Sequence, residues 1–199
     1  MLPDEKRMAR NYEITQALKI GDSEIVLGED ENCEQPYFCA NYESNDLVGQ
    51  YSGCMVSNDY LEITALFASR VTEQCEKVKA ERAAITVPTE IITQEMCIPD
   101  SYKESILGKV VAINPDNLRS EFRTADKQLY LVTGGFGASA NSRGSACFCV
   151  NLYSGKECRW ERSDIMGEMK NLPDWARERE ADIRADIEKR KTAPEAAER

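Results

Sequence analysis

Residues 12–27, YEITQALKIGDSEIVL, decide the fold class. Tyr12, Ile14, Leu18 and Ile20 fall at even spacing, the pattern of a strand with one face in the core and the other in water. Gly21-Asp22 reads as a turn. Ile25 and Leu27 then repeat on one face of a second segment, so the stretch predicts a β-hairpin. After an acidic loop from Glu29 to Glu34, Pro36 to Tyr42 supplies a third strand. Asp59 and Glu62 next have the spacing of a helix capping box, and Ile63, Phe67, Val71, Cys75 and Val78 follow at three- and four-residue steps. A helix from Tyr60 to near Arg82, laid over three antiparallel strands, predicts an N-terminal βββα unit and an α+β fold class.

The remainder of the chain changes pattern. Residues 84–105 hold Pro88 and Pro99 among β-branched and polar residues, which reads as an extended connector. Lys109–Ile113 and Gln128–Thr133 are short apolar strands, with a helical turn from Pro115 to Phe122 between them. Ser145–Tyr153 and Lys156–Arg162 predict a hairpin around Ser154-Gly155, a turn signal that leaves the register open by one residue. This half is expected to be a small curved sheet or partial barrel. From Pro173 the charged run DWAREREADIRADIEKR predicts a helix whose narrow apolar stripe, Trp175, Ile183 and Ile187, docks on the body or on a partner. The organisation read is an acidic subdomain over 1–83, the connector 84–105, a mainly β subdomain over 106–170, a C-terminal helix over 171–191 and a disordered tail over 192–199.

Composition bounds the function. With 199 residues, 42% hydrophobic and 30% charged, the chain is an ordinary globular one. Its strictly apolar stretches, such as Ala65–Ala68, are a handful of residues, and MLPDEKRMAR has no apolar core behind it, so neither a membrane span nor a secretory signal is expected and a cytoplasmic protein is. The absence of histidine removes imidazole general bases, Ser-His and Cys-His nucleophile pairs, and zinc sites that need imidazole. The eight cysteines include no C-x-x-C pair, so reduced structural thiols are expected, with no metal and no cofactor. Cys147 and Cys149 project to one face of a strand, and Cys158 beside Arg159 is the best case for an activated thiol, weakened because adjacent strand residues point to opposite faces. No enzymatic activity is expected.

Charge is unevenly placed. Residues 1–105 carry 20 acids and 9 bases, net −11, and residues 106–199 carry 15 acids and 16 bases, net +1, together the −10 of the whole chain. No Lys or Arg occurs between Lys19 and Arg70, while ten carboxylates do. Of these, Asp22, Glu24, Glu29, Asp30, Glu31, Glu34, Glu43 and Asp46 are the candidate partner-binding residues. Besides keeping the chain soluble, an acidic surface of this kind steers toward a basic groove.

A second candidate surface lies in the other half. The segment TGGFGASANSRG, residues 133–144, follows a strand but lacks G-x-G-x-x-G and G-K-[ST], and a strand rather than a helix comes after it, so it reads as a connection and not a phosphate loop. Phe136 between glycines suits a binding contact. Arg119, Arg123, Lys127 and Arg143 are expected to converge near it, and Arg159 and Arg162 flank Trp160, giving side chains of the types that dominate binding hot spots and stack on bases. Glu121, Asp126, Glu157 and Glu161 are interspersed with these cations and weigh toward an ordinary solvated surface.

The stretches SNDYLEITALFASRVTEQCEKV, LGKVVAINPDNLRSEFRTADKQLYLVTGGFGASANSRGSACF, NLYSGKECRWERSDIMGE and LPDWARE resemble a family of small accessory proteins of conjugative elements and phages of gut Firmicutes, over roughly residues 12–180. The resemblance brings no catalytic residue. It implies a mobile-element protein acting against host defence, a setting that includes anti-CRISPR inhibitors of Cas9-type effectors, whose nucleic-acid channel is basic. The expectation is therefore an inhibitor that meets a Cas9-guide RNA complex through the acidic half. The alternative is a nucleic-acid-binding or regulatory accessory protein working through Arg119, Arg123, Phe136, Arg143, Trp160 and Arg162.

Overall fold

The computed structural model describes residues 6–44 and 49–192. Asp46 lies outside the described residues, as does the expected tail apart from Thr192. The chain divides into two compact units, Met1–Ala84 and Ile85–Arg199.

The first unit is an antiparallel meander of β1 (Met8–Ala9), β2 (Tyr12–Ile20), β3 (Ser23–Glu29), β4 (Tyr37–Ser44) and β5 (Gly49–Ser57), followed by α1 (Tyr60–Ala83). Ile63 and Phe67 of α1 pack on Ile25, Leu27 and Cys39, with Leu66 and Val71 beside them. Asp59 caps the helix, its carboxylate accepting from the N–H groups of Leu61 at 2.8 Å and Glu62 at 3.3 Å. The reciprocal half of the expected capping box is relayed through Ser57, whose hydroxyl donates to the Glu62 carboxylate at 2.6 Å and accepts from the Asp59 N–H at 3.0 Å, so Glu62 does not bond the Asp59 N–H itself.

Two features go beyond the three-strand reading. β1 and β5 are additional strands; β5, GQYSGCMVS, has neither charge nor alternation to announce it. A bulge between Ile14 and Gln16 breaks the even spacing of β2. Tyr12 and Ile14 join Val26, Phe38 and Ala40 on the sheet face away from α1, whereas Leu18 stands opposite Ile25 on the α1 face and remains exposed.

The second unit contains β6 (Cys97–Pro99), β7 (Val110–Ile113), a single helical turn α2 (Ala125–Gln128), β8 (Leu129–Gly134), β9 (Ala146–Asn151), β10 (Glu157–Glu161), β11 (Ile165–Met169) and α3 (Asp174–Thr192). Its six-stranded antiparallel sheet has the order β10-β9-β8-β7-β11-β6. β7 to β10 form a four-strand meander, a 3-10 turn at Arg162–Asp164 follows, and β11 returns beside β7 with β6 outside it. The hairpin register is settled at Cys149 opposite Cys158.

Both faces of this sheet are buried. Val111, Ile113, Tyr130, Val132, Cys147, Cys149 and Ile165 form one core. Val110, Ala112, Leu129, Leu131 and Val150 form the other, against Ala176 and Ile183 of α3, with Trp175 and Ile187 at its margin. The charged helix thus docks on its own body, where Arg179 also donates to the carbonyls of Leu152 at 3.2 Å and Tyr153 at 3.3 Å. Among the described residues no helix is long and apolar enough to cross a membrane.

The reading of 84–105 as one extended connector is corrected. Ile92 is buried, and its backbone N–H and carbonyl both bond the buried Gln128 amide, at 2.8 and 3.0 Å. Cys97–Pro99 is a strand of the sheet, paired with β11. Residues 85–91 lie outside regular structure without burial, whereas residues 101–105, also exposed, are tied down through the Arg162 hydrogen bonds to Asp100 and to the Glu104 carbonyl. Limited proteolysis read by mass spectrometry is therefore expected to cut first between Ile85 and Ile91 and to leave residues 92–106 intact.

Candidate functional site

The meander distributes the eight candidate carboxylates over the first unit. Asp22 lies in the β2–β3 turn and Glu43 near the end of β4, across the sheet from the loop that contains Glu29, Asp30, Glu31 and Glu34. β3 spans seven residues, which at about 3.3 Å each places the two groups roughly 20 Å apart. They are two acidic ends rather than one surface. Glu24 is removed from the set altogether. Its carboxylate takes two hydrogen bonds from the Arg7 guanidinium, both at 2.9 Å, and that guanidinium lies 4.3 Å from the centroid of the Tyr42 ring. The pairing with Glu24 raises Arg7 above its ordinary pKa. The window has no cation of its own between Lys19 and Arg70, yet Glu24 is paired, because Arg7 reaches it from seventeen positions away.

The β3–β4 loop is the ordered acidic end. The Asp30 side chain accepts from the Asn32 N–H at 3.0 Å, its carbonyl from the Cys33 N–H at 3.1 Å, and its N–H donates to the Pro36 carbonyl at 2.8 Å. The Tyr12 hydroxyl donates to the Gln35 carbonyl at 2.9 Å and lies 3.4 Å from the Cys33 sulfur, a contact that pushes the phenol up to about 12. Glu31 and Glu34 are exposed, and none of the four carboxylates of this loop makes an ion pair with a described residue. The loop is therefore a pre-shaped concentration of negative charge.

The second candidate surface is only partly a surface. Arg162 is 1% exposed and all five of its N–H donors are used. Nε and Nη2 grip the Asp100 carboxylate at 2.7 and 2.9 Å, Nη1 donates to the carbonyls of Gly137 at 2.8 Å and Ser139 at 2.6 Å, and Nη2 also to Glu104 at 2.8 Å. This is a structural hub and not a ligand-binding cation. Trp160 is half-buried against the core that contains Val111, Tyr130 and Cys149, edge-on to Tyr130 at 5.7 Å, because β10 turns it inward with Cys158. Arg119 is half-buried with its Nη1 buried and lacking a hydrogen-bond partner, and Arg123 donates to the Leu118 carbonyl and faces Asp116 at 3.8 Å. Of the six residues, Phe136 and Arg143 stand fully in solvent.

No described cluster of three or more Cys, Asp or Glu is placed to hold a metal ion. Cys158 is not activated by Arg159: burial pushes its thiol up to about 11 and that of Cys149, its cross-strand partner, up to about 12. Asp126 is fully buried, its backbone carbonyl accepting from Asn151, and neither of its side-chain oxygens has a hydrogen-bond partner among the described residues. Comparison of the chain with protein-family models, curated proteins and solved structures finds no match.

Two measurements check this placement. Removing the Arg162 side chain, as in Arg162→Ala, leaves the buried Asp100 carboxylate unpaired and is expected to destabilise the second unit by about 3–5 kcal/mol in chemical denaturation. The Arg162 hydrogen bonds hold Asp100 below its ordinary pKa of 3.8, so their contribution is complete above that value and is lost as the pH falls through the lower, folded-state pKa. Asp100→Asn is expected to remove this share of the acid sensitivity. In native alkylation followed by mass spectrometry, the exposed Cys33 and Cys54 are expected to react first, with Cys39, Cys97, Cys147 and Cys149 protected until unfolding.

Proposed function

We propose that this protein is a non-enzymatic, mobile-element-encoded inhibitor, which binds and inhibits a host nucleic-acid-handling defence enzyme by placing the β3–β4 loop in its basic groove. The observation that carries the reading is the set of four carboxylates with no ion pair to a described residue, Glu29 at the end of β3 and Asp30, Glu31 and Glu34 in the loop after it, a loop fixed by the Asp30 turn and the Tyr12 hydroxyl. A fixed run of negative charge needs little reorganisation to stand where a phosphate backbone stands, and opposite charge across an interface raises the association rate and selects the partner. The resemblance to accessory proteins of conjugative elements and phages supports host defence as the setting, and a Cas9-type effector, with its basic heteroduplex channel, is the specific case. The alternative, direct nucleic-acid binding through Arg119, Arg123, Phe136, Arg143, Trp160 and Arg162 as one surface, has less support, since Arg162 and Trp160 are held in the core and only Phe136 and Arg143 of the six are exposed.

The test is target cleavage by a purified Cas9-guide RNA complex with the protein added. Inhibition is expected, and Glu31→Lys with Glu34→Lys, both exposed, are expected to weaken it about tenfold or more while leaving thermal unfolding nearly unchanged, since like charges at an interface cost several kcal/mol and exposed substitutions change stability by about 0.5 kcal/mol at most. The difference should shrink as salt rises. Unaltered target binding and cleavage at saturating protein would refute the reading.

A further inference from the structure

The loop between β8 and β9 plays no part in that reading, yet Phe136 at its tip is 84% exposed, more than any other large apolar side chain described. The exposure is built in. Gly135 adopts φ +96°, and a Cβ there would stand 2.3 Å from the Ala146 carbonyl oxygen, so only glycine lets the chain pass this close to β9. A Cβ at Gly144 would meet the Phe136 Cβ at 2.7 Å, which puts the segment bearing Arg143 against the root of the phenylalanine.

The loop is also laced to its neighbour. Arg162 holds the Gly137 and Ser139 carbonyls on one side and the Glu104 carbonyl on the other, while the Asn141 N–H donates to the Tyr102 carbonyl at 2.8 Å and the Ile106 N–H to Ala138 at 2.9 Å. Tyr102, left-handed at φ +63° and 46% exposed, has the Arg162 guanidinium 4.8 Å from its ring centroid. Lys103 and Arg143, one on each loop, are exposed and make no ion pair with a described residue.

We propose that Phe136 and Tyr102, flanked by Lys103 and Arg143, form a stacking platform for single-stranded nucleic acid. An unpaired base offers a flat face to an exposed ring whatever its sequence, and the phosphates on either side take the cations. A duplex keeps its bases stacked on one another and gives the rings nothing to stack on. An anionic lipid surface is disfavoured because Lys103 and Arg143, with the exposed Glu104 carboxylate beside them, offer a charged plane little net attraction, whereas a strand needs only one phosphate against each cation. The inference is independent of the acidic loop and of any partner enzyme.

The experiment is fluorescence anisotropy of labelled oligothymidylate and oligouridylate of about 15 nucleotides, titrated with the full chain at about 50 and 200 mM salt. A duplex of equal length and phosphatidylserine vesicles are titrated in parallel. Saturable single-strand binding is expected, with a shallow salt slope of about −1.4 for two phosphates at about 0.7 each. Phe136→Ala should weaken it about tenfold at unchanged thermal unfolding, and Lys103→Ala with Arg143→Ala should flatten the slope. No saturable binding at low salt, equal binding to duplex, uptake by vesicles alone, or a Phe136→Ala variant that binds like the parent would each overturn the proposal.

Discussion

The guanidinium of Arg162 offers five N–H groups in one plane, and the second unit is arranged so that each has an acceptor: two oxygens of Asp100 and the carbonyls of Glu104, Gly137 and Ser139. Lysine could not substitute, since its three donors radiate from a point and cannot reach a carboxylate edge-on while also serving loop carbonyls on two sides. The direction of the side chain is fixed by the turn it opens. Glu161 and Asp164 close that turn reciprocally, the Glu161 N–H donating to Asp164 at 3.0 Å, so the arginine leaves β10 toward the interior just as the chain bends into β11. Three segments far apart in sequence become one body through a single buried cation.

That body has to satisfy a sheet with no solvent-facing side over its central strands. VVAI and LYLV put apolar side chains on both faces of β7 and β8, so each face needs its own cover. One face receives α3, and here a helix dominated by charge suffices because Ala176 and Ile183 make the close contacts while Arg179 and Arg184 reach past them to carbonyls of the sheet loops. The other face is closed by Ile106, Ala138 and Leu118, which sit on loops and not on a second helix. Loops bear backbone polar groups that must be paired when buried, and this is why an arginine with five donors sits behind them.

The parts of this fold legible in the sequence are those with a single periodic signal. The apolar steps from Ile63 to Val78 and the Asp59 cap describe α1 as it is, and the strands around Val110 and Leu131 were plain from their unbroken apolar runs. β5 was hidden because an uncharged run of small and polar residues reads as a loop until a partner strand supplies its hydrogen bonds. The bulge at Thr15 was hidden because Tyr12, Ile14, Leu18 and Ile20 keep even spacing although the chain slips by one residue between them. The burial of Arg162 is not legible in the sequence for a more general reason: burial of a cation depends on where its acceptors come from, and these are 62 and about 24 positions upstream. The one local hint was Asp100, beside Pro99, in a stretch otherwise taken as a linker.

Charge shows the same limit from the other direction. The excess of acids in the first half is a property of the sequence, but a partner meets charges at the places where the backbone holds them. The β2–β3 turn and the β3–β4 loop stand at opposite ends of a seven-residue strand, roughly 20 Å apart, while screening at physiological salt acts over about 8 Å. The two ends therefore act as separate electrostatic features, and a groove that engages Glu29, Glu31 and Glu34 is nearly indifferent to Asp22 and Glu43. Of the two, the β3–β4 loop has its backbone closed on itself by Asp30 and Pro36 and its far side pinned by Tyr12. Rigidity of this kind converts a compositional bias into a site, because carboxylates on a fixed loop lose little conformational freedom on meeting a basic surface, whereas the same charges on a mobile one must be ordered first.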